Sequence, residues 1–453
     1  MLKELPKTLD ETYERILRDI HEANRDHARR LLQCLTVAVR PLRVAELAEV
    51  LAVDFGTASR GERSKLNIDW RWEDQQEAVL STCSSLISIV DEKGSQVVQF
   101  SHFSVKEFLT SSRIACSNAD VSRFHILLEP AHTVLAEACL AVLLRLGEVV
   151  DEDKVEARFP LARYAAEHWV SHARFENVSS YIREGMEDVF DADKPYFAAW
   201  LEVHDIDTEP LIDSLLYYFA PTSSDRSKSA DPLYYAALCG FQDIAEQLII
   251  KHPQQVHSPG GYFMSPLGAA LRGEHLKIAQ VLYERGADVD VQSRNKRTLL
   301  LCASCSGHLE IVHWLLSRSA NPNFWDGHDW TPLHGAAFFG HIEVSRLLLQ
   351  YKADISAHED EGRTPLHLAT QYQHLNVARL LLEHGADMNA PDNSRNTPLL
   401  CAVNNGRLEA VRLLVEHGAD IDAEENGGRT TFQVASERGY DDITKLLSDH
   451  SSK

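Results

Sequence analysis

Between residues 231 and 453 the apolar positions fall into pairs of short helical stretches separated by polar turns. The same order returns every 33 residues: "SPLG" at Ser265, "TLLL" at Thr298, "TPLH" at Thr331, "TPLH" at Thr364, "TPLL" at Thr397 and "TTFQ" at Thr430. "DPLY" at Asp231 stands one residue out of phase, where "SPGGYF" lengthens the loop. Each unit predicts a threonine N-cap, a first helix with proline in its first turn, and a second helix with an apolar face such as "VSRLLLQ" or "VARLLLE". "HGAD" then ends the second helix, with Gly385 and Gly418 at the left-handed position.

The first half is patterned differently. Residues 9–23 and 26–39 read as helices, "LRVAELAEVLAV" as a third and "DQQEAVLSTCSSL" as a fourth. Two β-branched runs around "DEKGS" then predict a hairpin, and "SVKEFLTSSR" a closing helix. That order is a winged-helix arrangement over residues 26–115, preceded by a linker helix, 1–25. A helical spacer, 116–220, follows, then a polar linker, 221–230, and the repeat region, 231–453.

Composition adds limits. The 453 residues are 44% hydrophobic and 25% charged, as in an ordinary globular protein. A net charge of −22, from 67 acidic and 45 basic residues, opposes contact with nucleic-acid phosphates and anionic membranes. The winged-helix stretches that would meet DNA begin "WEDQQE" and "DEKGSQ", so no direct nucleic-acid binding is expected. No apolar run approaches a membrane span, and the N-terminal stretch has no signal-peptide core. Eight scattered cysteines, most in apolar helical contexts, point to an intracellular, reduced protein of the cytoplasm or nucleus. Cys302 and Cys305 form a lone C-x-x-C without a partner pair at zinc spacing.

Two clusters invite chemistry. "FSHFSVKEFLTSS" places Ser101, His102 and Ser104 close together, but no acid or oxyanion site accompanies them. A structural role is expected: Ser104 as helix cap in an S-x-x-E box with Glu107, Phe103, Phe108 and Leu109 as apolar anchors, and His102 as a junction residue. His168 and His172, one turn apart, lack the H-E-x-x-H order and a third ligand, so they are expected to flank a packed Trp169.

The repeated units, "TPLHGAAFFGHIEVSRLLL" above all, resemble ankyrin repeats over about half the chain. The fold class expected is therefore mainly α, with a winged-helix-like α/β module, a helical spacer and an α-solenoid of about seven ankyrin repeats. Departures from the pattern are Lys352 and Ser319 at the helix-ending glycine and Gln373 and Glu274 at the glycine between helices. His275, His308, His341 and His374 recur every 33 residues. Equivalent positions in packed helices lie about 8–10 Å apart, too far to share one zinc with bonds of about 2 Å. The resemblance implies a protein partner bound on the concave strip of fingers and first helices. Phe324, Trp325, Trp330, Phe338, Phe339 and Tyr372 are the candidate partner-binding residues there. The "SRNKR" finger is basic and the "HEDEG" and "EENGG" fingers acidic.

"LPKTLDETYERIL", "RPLRVAELAEVLAV", "FSHFSVKEFL", "AHTVLAEACL" and "YAAEHWVSHA" together resemble the part of fungal NACHT–ankyrin proteins, a branch of the STAND regulators, that follows their nucleotide-binding module. That module would precede residue 1. A P-loop needs G-x-x-x-x-G-K-[ST]; the nearest approach, Gly56 to Gly61, is followed by Glu62 and Arg63. No cofactor and no enzymatic activity are expected. The resemblance implies an adaptor or regulator, with transcription coregulators among its fungal kin, or alternatively a STAND sensor whose nucleotide-binding module is missing.

Overall fold

A computed structural model describes residues 7–56, 63–83, 85–92, 94–147, 155–207, 230–293 and 295–451. Their packing divides into two bodies. The first holds the described residues up to 207 together with Asp231–Gln255, and the second holds Val256 onward. Of the polar linker 221–230, only Ala230 lies within the described residues.

In the first body, α1 (Lys7–Asp19) leads into α2 (Arg25–Val37), whose Ala28, Leu31, Leu32 and Cys34 are buried at helical spacing. Strand β1 (Leu42–Arg43), α3 (Val44–Leu51), the hairpin β2 (Val53–Asp54) and β3 (Lys65–Leu66), α4 (Gln75–Cys83), β4 (Ile87–Glu92), β5 (Ser95–Phe100) and α5 (Phe103–Leu109) follow. The main sheet has the order β1-β5-β4, antiparallel throughout, with Val98 paired to Leu42 on one side and Ile89 on the other. Three helices and this sheet make the winged helix, and the β4–β5 hairpin is its wing. The wing tip turns where the Asp91 carboxylate accepts the Gly94 N–H at 2.9 Å.

Two buried carboxylates lock α3 in place. Glu46 accepts the Arg43 backbone N–H at 2.7 Å and the Arg40 guanidinium at 2.7 and 2.9 Å. Burial alone would raise its pKa, but these donors outweigh burial and hold it low. Glu49 accepts the Leu161 N–H at 2.6 Å and pairs with Arg71, tying the winged helix to the spacer.

The α5 junction differs from the expected one. His102, not Ser104, caps α5: it is extended (φ −151°, ψ 146°) and its Nδ1 accepts the Ser104 N–H at 3.2 Å. Ser104 is fully buried. Its hydroxyl lies 2.8 Å from the Tyr13 hydroxyl and 2.5 Å from His102 Nδ1. The chain turns inward one residue after the cap, so the serine faces α1 rather than solvent. Phe108 and Leu109 are core, as expected, whereas Phe103 is 69% exposed.

The spacer is organised by the helix Leu128–Leu146, buried on nearly all sides, which packs against α2 and Ala162–Ala173. Trp169 stacks on Phe241 (centroids 5.5 Å) and meets Trp200 edge-on (5.3 Å). Tyr234 and Tyr235 donate to Asp207 and Asp205 at 2.7 and 2.8 Å. These contacts explain why the helical pair Pro232–Cys239 and Gln242–Lys251, first of the repeats by sequence, belongs to the first body. Within the first body the spacer's aromatic residues close the apolar side of this pair.

His172 lies in the same layer. Its Nδ1 is 2.9 Å from His132 Nδ1 and its Nε2 is 2.9 Å from the Tyr164 hydroxyl. Trp169 is fully buried beside it.

The second body stacks six helical pairs among the described residues: Pro266–Arg272 with Leu276–Glu284, Leu299–Ser306 with Leu309–Leu316, Pro332–Phe339 with Ile342–Gln350, Pro365–Gln371 with Leu375–Glu383, Pro398–Asn404 with Leu408–Glu416, and Thr431–Glu437 with Asp441–Ser451. Threonine caps appear as predicted: Thr298 and Thr397 accept the N–H three residues on at 3.2 and 3.3 Å. Where glycine is replaced, the backbone keeps the left-handed conformation: Glu274, Ser319, Lys352 and Gln373 have φ of 58, 65, 65 and 62°. Tertiary stacking therefore imposes the turn even on residues that disfavour it.

Candidate protein-interaction surface

Bonds join successive repeats in the second body at three levels, the central repeats at all three. At the fingers, one backbone bond joins successive turns: Gly327 N–H to Asn295 O (2.7 Å), Asp360 N–H to His328 O (3.1 Å), Asn393 N–H to Glu361 O (3.0 Å) and Asn426 N–H to Ser394 O (3.0 Å). At the first helices, His334 and His367 bond their own threonine through Nδ1 and reach the next finger through Nε2, to Arg363 O (3.1 Å) and Asn396 O (3.0 Å). Burial pushes the His334 pKa down to about 4 and lowers that of His367, so both are neutral and hold one tautomer. At the second helices, the 33-residue histidine ladder points backwards. His341 Nε2 meets Cys305 O at 3.0 Å and His374 Nε2 meets Phe338 O at 2.8 Å, while Arg407 makes the same bond to Gln371 O at 3.1 Å. His341, His374 and Arg407 thus each tie their own repeat to the one before it.

On this scaffold four of the six candidate aromatics come together. Phe338 is the hub: its ring lies 5.3 Å from Trp330, 4.8 Å from Phe339 and 4.3 Å from Tyr372 of the next repeat. Trp330 is only 9% exposed and packs with Leu301, Cys305 and Leu368. It supports the patch from beneath, so the exposed placement expected from its finger position does not hold. Phe338 and Phe339 are half-buried and Tyr372 is 39% exposed. Trp325 is 50% exposed and Phe324 half-buried. Among the described residues no ring contact joins either to the patch.

The charged fingers are less available than the sequence implies. Arg297 of the "SRNKR" finger is buried against Asp326 (3.4 Å). Glu359 is buried against Arg363 (3.0 Å), and Glu425 pairs with Arg429. Acids at Asp326, Glu359, Asp392 and Glu425, 33 residues apart, shape the turns. Asp326 accepts the N–H of His328 and Trp330, and Asp392 those of Ser394 and Asn396. That periodicity was visible in the sequence and marks these acids as turn-formers. Lys296, Asp360, Glu361 and Glu424 remain exposed, with Asp360 3.1 Å from His328 Nδ1 and Glu361 3.1 Å from the Arg363 guanidinium.

The C-x-x-C is also internal. Cys302 and Cys305 are free thiols, and burial raises the pKa of Cys302 to about 11 and that of Cys305 well above its ordinary value. Both stay protonated, which removes the thiolate that metal binding or redox exchange needs.

Comparison with known proteins agrees with this geometry. The model for ankyrin repeats (3 copies) matches residues 233–326, 267–359, 299–392 and 389–453. That for the winged helix domain of GPI inositol-deacylase matches residues 14–121. The chain thus carries ankyrin repeats and an N-terminal winged-helix domain of GPI inositol-deacylase type. A protein of the fungus Monascus ruber described as azaphilone pigments biosynthesis cluster protein L is 33% identical over 302 residues, 64% of this chain and 61% of that protein. The chain therefore matches about three fifths of that relative's length. Alpha-latrocrustotoxin-Lt1a of Latrodectus tredecimguttatus is 31% identical over 82 residues, 17% of this chain and 6% of the toxin. Ankyrin repeats generally mediate protein–protein interaction, which suggests that role here. No described helix is long and apolar enough to cross a membrane.

Proposed function

We propose that this chain is a non-enzymatic adaptor or regulator that captures a protein partner on the concave strip of its ankyrin array. The observation that carries this reading is the joined patch of Phe338, Phe339 and Tyr372, seated on buried Trp330 and spread over two successive repeats. Aromatic side chains held by a rigid layer are the usual composition of a binding hot spot. Asp360 and Glu361 favour a partner that brings an apolar anchor beside a basic group, with the charges acting mainly on encounter and specificity. A transcription coregulator is one form this adaptor could take, and the Monascus ruber relative is described as a protein of a pigment biosynthesis cluster.

Affinity capture with the wild type and with a Phe339→Ala, Tyr372→Ala variant tests this. Partners recovered by the wild type should be lost by the variant, with unchanged circular dichroism. An identical set of captured proteins would remove the patch as the site. The second reading, a STAND-type sensor, is favoured by the winged helix following α1. A rise in melting temperature on adding ATP to the purified chain would support it and overturn the adaptor-only view.

A further inference from the structure

The winged helix carries a second outward surface with its own chemistry. Of the seven tryptophans in the chain, Trp169, Trp200, Trp314 and Trp330 are buried and Trp325, 50% exposed, belongs to an ankyrin finger, which leaves Trp70 and Trp72, 51% and 46% exposed. Both stand on the segment entering α4, the helix that a DNA-binding winged helix would offer to the major groove.

This segment is built, not loose. Trp70 N–H bonds Asn67 O at 3.1 Å and Arg71 N–H bonds Ile68 O at 3.2 Å, closing a single 3-10 turn over Ile68–Trp70. Asn67 in turn donates its N–H to Ala52 O at 2.9 Å and accepts the Asp69 N–H at 3.1 Å. Asp74 then caps α4 by accepting the Glu77 N–H at 2.9 Å.

Side chains alternate in a way that sorts charge. Arg71 turns inward, pairing with Glu49 and lying 5.4 Å from the Phe159 ring centre. Its neighbours Asp69, Trp70, Trp72, Glu73, Asp74 and Glu77 are all exposed. The one cation of the stretch is thus consumed inside, and four carboxylates share the surface with two indoles. Lys65, on β3, is the exposed cation closest along the described chain on the N-terminal side. An indole face attracts a cation, more so for arginine, and carboxylates at its rim add to the attraction. Phosphate and other anions are repelled by the same groups.

We propose that the Trp70–Trp72 surface docks a lysine- or arginine-rich segment of a protein partner, independently of the ankyrin patch. Indole–cation stacking supplies the specificity, and Glu73, Asp74 and Glu77 supply the field.

The experiment uses the full chain and a fluorescein-labelled peptide of eight arginines, with binding followed by fluorescence anisotropy at two salt concentrations. Because the whole chain is acidic, the decisive variant removes no charge: Trp70→Ala with Trp72→Ala should weaken binding at least fivefold. A second variant, Glu73→Gln with Glu77→Gln, should weaken it similarly and flatten its salt dependence. Circular dichroism and melting curves of both should match the wild type, since every substituted side chain is exposed. Affinities within twofold of wild type for both variants would overturn the proposal, leaving only general attraction to an acidic chain. Sedimentation provides a further check. Self-association of the wild type that the tryptophan variant abolishes, with peptide binding unchanged, would make the surface a contact between copies and would also overturn it. The Phe339→Ala, Tyr372→Ala variant should bind the peptide as the wild type does, which separates failure here from failure of the ankyrin site.

Discussion

Phe338 is held twice by the repeat that follows it: its ring lies 4.3 Å from that of Tyr372, and its carbonyl accepts His374 Nε2–H at 2.8 Å. The hub of the aromatic patch is therefore fixed in position before any partner arrives, and little ordering remains to be done on binding. Stability and binding should separate along this patch. Trp330→Ala removes a buried indole and should cost about 3 kcal/mol of stability. Phe339→Ala, at a half-buried position, should cost about 1 kcal/mol while still abolishing capture. Urea unfolding of the two variants checks the ratio; equal losses would mean that Phe339 is core.

Two left-handed glycines, Gly307 between the helices of one repeat and Gly418 after the second helix of another, offer a paired test of backbone strain. A Cβ at Gly307 (φ 74°) would stand 2.6 Å from the His341 imidazole, which is committed to Cys305 O. Gly307→Ala should therefore incur left-handed strain, about 1–2 kcal/mol, and lose a tether worth about 1 kcal/mol. At Gly418 (φ 88°) nothing lies within 4 Å of the added carbon, so Gly418→Ala should cost only the strain. The reverse exchange, Gln373→Gly, relieves a residue held at φ 62°. It should raise stability by about 0.5 kcal/mol once the freer unfolded chain is allowed for. Denaturant midpoints for the three variants should rank in that order.

The repeat architecture was legible because its determinants are local and periodic. Thr331, Pro332 and His334 act within one turn, and the same three types return at Thr364, Pro365 and His367. Helix order and wing were legible for the same reason. What escaped depends on side chains far apart in sequence. The stacking of Trp169 on Phe241 draws the pair Pro232–Lys251 into the first body, and nothing near residue 241 announces it. Trp330 occupies a finger position that looks exposed until Leu301 and Leu368, from the neighbouring repeats, close over it. In "FSHFSV" histidine and serine can both cap a helix, and only the position of Tyr13 on α1 decides that the serine goes inside.

That arrangement predicts a structural, not chemical, role for Ser104. Its fully buried hydroxyl bridges the buried Tyr13 and the exposed His102. Ser104→Ala would leave the Tyr13 hydroxyl buried without its partner and should cost about 2 kcal/mol. Tyr13→Phe in the same background should recover part of the loss, because the stranded group is then gone. A fluorophosphonate probe should leave Ser104 unlabelled in the native chain. Labelling that Ser104→Ala removes would reopen the nucleophile assignment.

The His132–His172–Tyr164 chain makes the first body acid-sensitive. Burial pushes the His172 pKa down to about 3, with His132 and His168 adding to the effect, and burial also lowers that of His132. In the unfolded chain both titrate near 6.5. Between these values the unfolded state binds more protons, so stability rises with pH there. The contribution is complete above about pH 6.5 and is lost as pH falls toward 3. His172→Phe should be less stable than wild type at pH 7.5, because Tyr164 and His132 lose a partner. Its unfolding free energy should nevertheless depend less steeply on pH between 4 and 6. The slope should drop by up to one proton, about 1.4 kcal/mol per pH unit. Urea midpoints at several pH values, read by tryptophan fluorescence beside Trp169, measure the difference. Parallel curves for wild type and variant would show that His172 is not a source of the acid loss.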